Sequence, residues 1–245
     1  MPGNPTGEVR VIVLLFGPPG CGKGTQAEVL AERYHIPAIS TGEMFRAECK
    51  AGTELGTRAS AILAAGGLVG DDIVNGMVAG RIARGDCADG FLLDGYPRTL
   101  DQARYFSQLI EQRGLPSPIV IHLDVPDENL IARLTARRQC PQCKHIYNVL
   151  AQPPKVEGLC DRDGAVLTTR EDDRETVIRD RLRAYAALTN PILRWYGASV
   201  VRRIDGGQDP ARVSADIDRV LAEPSRPQMS LVYATDGDTG GLSLE

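Results

Sequence analysis

Gly17-Pro18-Pro19-Gly20-Cys21-Gly22-Lys23-Gly24-Thr25 decides how this chain folds. The general phosphate-binding loop runs Gly, four free positions, Gly-Lys, then Ser or Thr; here Gly24 fills the hydroxyl position and Thr25 follows it. An apolar run over residues 9–16 comes before the loop and a helical segment over residues 23–34 comes after it. Glycines let the backbone turn sharply, so that successive N–H groups and the helix N-terminus converge on one point and attract phosphate oxygens. Lys23 adds a mobile ammonium, and with 4 lysines against 24 arginines in the chain its place in the loop is informative. The strand-loop-helix context marks a nucleotide site, and the extra glycine narrows it to the cradle of a small-molecule kinase.

The bulk numbers fit that reading. A chain of 245 residues, 42% hydrophobic and 24% charged, is long enough for one sizeable core with one or two inserted lobes. A net charge of −4 argues against a general nucleic-acid or membrane-surface partner, while local arginines could still hold a polyanion. The apolar run at 11–16 is too short to cross a bilayer, and residues 1–8 lack a basic start and a hydrophobic signal region, so a cytoplasmic location is expected. Three of the 6 cysteines cluster, which favours metal binding over a disulfide framework.

Short apolar runs at 9–16, 38–40, 91–94, 119–125 and 200–204 read as strands separated by helices. The fold class expected is α/β: a P-loop NTPase-like, three-layer arrangement in which a parallel five-stranded sheet is covered by helices on both faces. Residues 41–85 read as helices near 44–50, 55–65 and 73–84, and residues 136–173 lose helical spacing; both stretches look like insertions. Helical spacing returns over 175–196, with Pro191 as a kink, and again over 210–221. Residues 223–245 lack apolar periodicity beyond 231–233 and are expected to form a mobile tail.

Asp94 ends a buried-looking strand, where Mg²⁺ beside a P-loop needs an oxygen ligand. Asp124 is a rival on the same logic, but only Asp94 is followed by Gly95-Tyr96-Pro97-Arg98. Arg46, Arg133, Arg137, Arg138, Arg170, Arg179 and Arg181 join Arg98 as candidates, since phosphoryl transfer is stabilised by positioning and cations. His35, His122 and His145 show no motif spacing and receive no role. Cys140-Pro-Gln-Cys143 and Cys160-Asp-Arg-Asp163 are paired knuckles sixteen residues apart, a zinc signature whose closed four-ligand set points to structure.

Taken together, the loop, Ile39-Ser40-Thr41-Gly42-Glu43-Met44-Phe45-Arg46, residues 90–98 and residues 168–182 resemble the adenylate kinase family. The stretch 136–173 is similar to the long, zinc-carrying lid of its bacterial members. The resemblance implies that Gly20, Cys21, Gly22, Lys23, Gly24 and Thr25 hold the ATP phosphates, and that Arg137, Ile146, Tyr147 and Gln208 contact the rest of that nucleotide. It assigns Thr41, Arg46, Gly67, Leu68, Val69, Gly95, Tyr96, Pro97, Arg98, Gln102, Arg170 and Arg181 to AMP, and sets Arg133 near the ATP base. The reaction implied is Mg-dependent, in-line phosphoryl transfer from ATP to AMP giving two ADP, with Lys23, Asp94, Arg98, Arg133, Arg137, Arg170 and Arg181 as its catalytic set. Structural zinc and a monomer are implied as well. The division expected is core 1–39, AMP-binding lobe 40–70, core 71–135, zinc-binding lid 136–173, core 174–221 and tail 222–245. Two features depart from the family pattern: Tyr96 stands where Phe is common, and the tail has no counterpart.

A sister kinase using GTP as donor, or UMP or CMP as acceptor, would share the cradle, although Thr41, Gln102 and the long lid favour AMP. A zinc-knuckle module that binds nucleotide without turnover is the reading from another class, and the arginine set argues against it.

Overall fold

In the computed structural model, which describes residues 11–65 and 67–223, the apolar run of the opening motif is the middle strand of the sheet. Strand β1 (Val11–Phe16) alternates its side chains with the strand period. Ile12, Leu14 and Phe16 enter one apolar cluster, and Val13 and Leu15 enter another on the opposite face. Both faces are buried, as a parallel sheet requires, and each such side chain contributes about 1.5–3 kcal/mol.

The chain continues through α1 (Lys23–Tyr34), β2 (Ala38–Ser40), α2 (Thr41–Ala51), α3 (Glu54–Ala64), α4 (Asp71–Ile82), β3 (Gly90–Asp94), α5 (Leu100–Gln112), β4 (Ile119–Asp124) and α6 (Asp127–Thr135). A small antiparallel pair, β5 (Arg137–Gln139) with β6 (Ile146–Asn148), follows. Then come α7 (Glu175–Ala184), a π turn (Tyr185–Thr189), α8 (Asn190–Tyr196), β7 (Val201–Asp205) and α9 (Pro210–Ala222). The five-stranded sheet is parallel throughout, in the order β2-β3-β1-β4-β7. β2 and β3 lie on one side of β1, β4 and β7 on the other, and the carboxyl ends at such a reversal form the crevice where α/β sheets bind ligands.

All five expected strands and the two-sided helical cover are present. α2 begins at Thr41, earlier than its apolar spacing suggests, because Thr41 bonds Gly95 O through its hydroxyl at 2.9 Å and is buried there. Pro191 falls just after the π turn: it has no N–H to give to the preceding turn, and the wider turn absorbs the interruption. Thr189 at the end of that turn donates to Arg98 O at 3.1 Å, tying the long helical run to the crevice. The expected mobile tail lies almost wholly outside the described residues, as does the start of the first strand at 9 and 10. Among the described residues, no helix is long and apolar enough to cross a membrane.

Candidate active site

At the carboxyl end of β1 the loop wraps a point in front of α1. Gly22, the residue before the helix, has φ of 100°, a left-handed conformation natural to glycine, and among the described residues no side chain caps α1. The first N–H groups of the helix are therefore available to an anion. Lys23 Nζ donates to Gly17 O at 2.7 Å and Pro18 O at 3.0 Å, which holds the ammonium within the loop. Cys21 is buried, and burial pushes its thiol pKa up, so its backbone is what serves the loop. A Cβ on Gly24 would lie 3.3 Å from Ile146 Cδ1, so the glycine that distinguishes this motif is where β6 closes onto α1.

One cavity of about 890 Å³ runs from the loop past Asp94 to α2 and the β5–β6 segment. All the residues expected around the two nucleotides line it, including Thr41, Leu68, Gln102, Ile146 and Gln208. Arg46, Arg98, Arg133, Arg137, Arg170 and Arg181 also line it. Arg138 and Arg179 do not: Arg138 donates to Thr135 O and Arg137 O, and exposed Arg179 pairs with Glu175. Asp124, the rival carboxylate, is exposed and lies outside the cavity, whereas Asp94 lines it together with Lys23.

Each arginine is held from behind. Arg98 Nε donates to Gly95 O at 2.8 Å, and its N–H donates to Gln102 Oε1 at 2.7 Å. Gln102 Nε2 in turn donates to Asp71 at 2.7 Å, so the amide is oriented by its own partners. Arg133 donates to Gly206 O at 2.9 Å and Gly207 O at 3.3 Å, shaping the loop that carries Gln208. Gln208 donates its amide NH₂ to Asp216 and to Asp205 O. Arg137 forks onto Asp173, and Arg181 reaches Asp172 at 3.0 Å. Glu43 accepts from Arg46 at 2.7 Å and from Arg170 at 3.0 Å, joining α2 to the segment after the knuckles.

These guanidinium groups are crowded. Burial, aided by Arg137 and Arg46, pushes the Arg170 pKa down to about 10, and burial likewise lowers Arg98 and Arg181. Among the described residues Arg46 Nε is buried with no partner. Buried donors and crowded cations are satisfied together by an oxyanion, which fits phosphate.

Cys140, Cys143, Cys160 and Asp163 bring one ligand atom each to within 4.8 Å of one another. The Cys143 and Cys160 sulfurs are 3.5 Å apart, close to the spacing of about 3.8 Å that zinc–sulfur bonds of about 2.3 Å set across a tetrahedral site. The backbone N–H of Cys143 points at Cys140 Sγ at 3.4 Å, and Ala165 N–H, the main cause, holds the Asp163 carboxyl far below its usual range. This donor set fits a metal. Tyr147, expected at the nucleotide, spends its hydroxyl here: it accepts from Asp161 N–H at 2.8 Å and lies 3.4 Å from Cys160 Sγ.

The glycine-rich loop, the parallel sheet and the arginine-lined cavity define a P-loop nucleotide kinase. A family profile described as adenylate kinase matches residues 15–201. Adenylate kinase of Anaeromyxobacter sp. strain Fw109-5 is 46% identical over 213 residues, covering 86% of this chain and all of its own length. Those of Oceanobacillus iheyensis and Desulforamulus reducens are each 45% identical, covering 85% and 84% of this chain and 98% and 97% of their own. The chain belongs to the adenylate kinase family.

Residue chemistry alone does not single out Glu43, Gln139, Asp172 or Asp173. Glu43 carries one local signal, its i,i+3 spacing to Arg46.

Proposed function

We propose that this cavity transfers the terminal phosphoryl of Mg-ATP reversibly to AMP, giving two ADP. The observation that carries the reading is the set of arginines from α2, the 95–98 loop and the 133–181 segment, gathered around one cavity that starts at Lys23. Relatives named adenylate kinase support ATP and AMP as the substrates, and the GTP-donor alternative gains nothing from them.

The loop N–H groups and Lys23 hold the donor phosphates, Arg46 and Arg98 the acceptor phosphate, Arg137, Arg170 and Arg181 close on the group between them, and Arg133 shapes the loop beside the ATP base. Ile146 covers the ATP side, while Thr41, Tyr96 and Gln102 border the AMP side. Mg²⁺, expected near Asp94, supplies charge neutralisation on the phosphates. Positioning and charge supply most of the rate, so no covalent intermediate on the protein is required. The lobe at 40–70 and the lid at 136–173 close over the substrates to exclude water, and the Glu43–Arg170 ion pair and the close approach of Ile146 to Gly24 support that role. Zinc, held by the cysteine knuckles and Asp163, keeps the lid folded and leaves no coordination position for substrate. A monomeric, cytoplasmic enzyme completes the reading.

A coupled assay of ADP formation across a panel of donors and acceptors tests it. ATP with AMP is expected to give the highest kcat/KM; a preference for GTP, UMP or CMP would replace the proposed substrates.

A further inference from the structure

Gln139 lies on β5, 7% exposed, one residue before the first knuckle. A buried amide needs its oxygen and its NH₂ paired, and both are. Its Oε1 accepts from Arg170 Nε at 2.7 Å, and its Nε2 donates to Lys144 O at 3.0 Å and Glu43 Oε1 at 3.3 Å. The opposite amide orientation would set NH₂ against a guanidinium N–H and oxygen against two oxygens, so chemistry fixes this one. The backbone is pinned as well: Gln139 and Thr168 exchange N–H···O bonds of 2.8 and 2.9 Å, two residues ahead of Arg170.

Arg170 is thereby gripped at Nε by Gln139 and at one Nη by Glu43, and among the described residues its Nη1 donors are uncommitted where the group lines the cavity. A planar guanidinium fixed along one edge presents the rest of its fork in one direction. An amide suits this position because a neutral acceptor satisfies Nε without the extra negative charge that would compete with phosphate and repel Glu43. Lys144 O belongs to the turn just after Cys143, so the same side chain ties the arginine to the knuckle.

We propose that Gln139 is a positioning residue, which aims Arg170 at the transferred phosphoryl and ties that aim to the knuckle turn and to α2. The inference rests on the reading of Arg170 as a phosphate ligand, so the test separates the two. Gln139→Met keeps length and packing but loses the hydrogen bonds. It is made in the wild-type chain and in Arg170→Ala, and kcat is measured at saturating ATP and AMP with melting temperature and bound metal alongside. The expected result is a loss of about tenfold in the wild-type background and less than about twofold in Arg170→Ala, because groups acting as a unit are non-additive. An equal loss in both backgrounds, or none in the first, overturns the proposal. Arg170→Ala with wild-type turnover overturns the reading beneath it, and the proposal with it. Should Gln139→Met lower stability or metal content, the pair Gln139→Glu and Gln139→Glu/Glu43→Gln decides. The single change sets a second carboxylate against Glu43 and lowers kcat; the double change restores one carboxylate and one amide at the Glu43 contact while Lys144 O still lacks its donor, so it should recover part of the loss, and no recovery overturns the proposal.

Discussion

The two walls of the cavity are built from opposite materials. The cradle is made of backbone: N–H groups, a left-handed glycine and a lysine bonded to carbonyls, all rooted in a sheet whose two faces are packed with Val, Leu, Ile and Phe. The facing segment, residues 136–173, has a core of Cys140, Tyr147 and Cys160 with Ala165 and Leu167 against it, while Leu150, Val156 and Val166 are exposed. So small a cluster cannot repay the entropy of ordering the segment, and a metal is the staple that such segments use. One wall thus draws its shape from the hydrophobic core, while the other has ion pairs and a donor set able to hold a metal in place of such a core. Conditions that leave the first intact should therefore dismantle the second.

The largest effect belongs to the cradle's cation. Lys23→Met should lower turnover by about 10²–10³-fold, the scale of losing one preorganised donor to a developing charge. The circular dichroism spectrum should stay unchanged, because among the described residues the ammonium bonds only loop carbonyls and a thiol. Near wild-type turnover would remove the cradle from the chemistry.

Next in size is the staple. Structural zinc in finger peptides contributes about 10–16 kcal/mol of apparent binding energy at neutral pH, far above what this segment's apolar cluster supplies. Chelation, or Cys143→Ser, should lower the melting temperature and increase hydrogen exchange across 136–173, while ATP binding at the cradle persists. Turnover should fall only as far as lid closure is impaired. Loss of turnover with the segment still protected from exchange would move the metal from structure into catalysis, and protein free of bound metal when purified without chelator would remove the site.

The same division explains what could be read from the sequence. Strands, cradle and knuckles are legible because each is local: an apolar run, a glycine spacing, two cysteine pairs. The partners that orient the arginines are not. Gln139 and Glu43 are 96 residues apart in the chain, and Arg170 and Glu43 are 127 apart, so local spacing marks neither contact, and Glu43 shows only its i,i+3 spacing to Arg46. Tyr147 adds a contact that local spacing does not mark: it lines the cavity, and its hydroxyl serves the knuckle.

The smallest effect tests the contact between the walls. Burial alone would raise the Glu43 pKa, but the Arg46 hydrogen bond and the charges of Arg46 and Arg170 outweigh it and hold the carboxyl below its usual value. A depressed folded-state pKa means that the stabilisation is complete above the unfolded value, about 4.3, and is lost as pH falls through the lower folded value. The side chain is 33% exposed, so solvent screens the pair and its worth is about 1 kcal/mol or less. In ligand-free protein, Glu43→Gln should therefore melt slightly below the wild type at pH 6–7, and the two curves should converge as the pH drops under about 4. A Glu43→Gln difference that persists undiminished to pH 3 would mean that the carboxylate contributes through packing rather than charge, and would place the lid contact among the apolar elements instead.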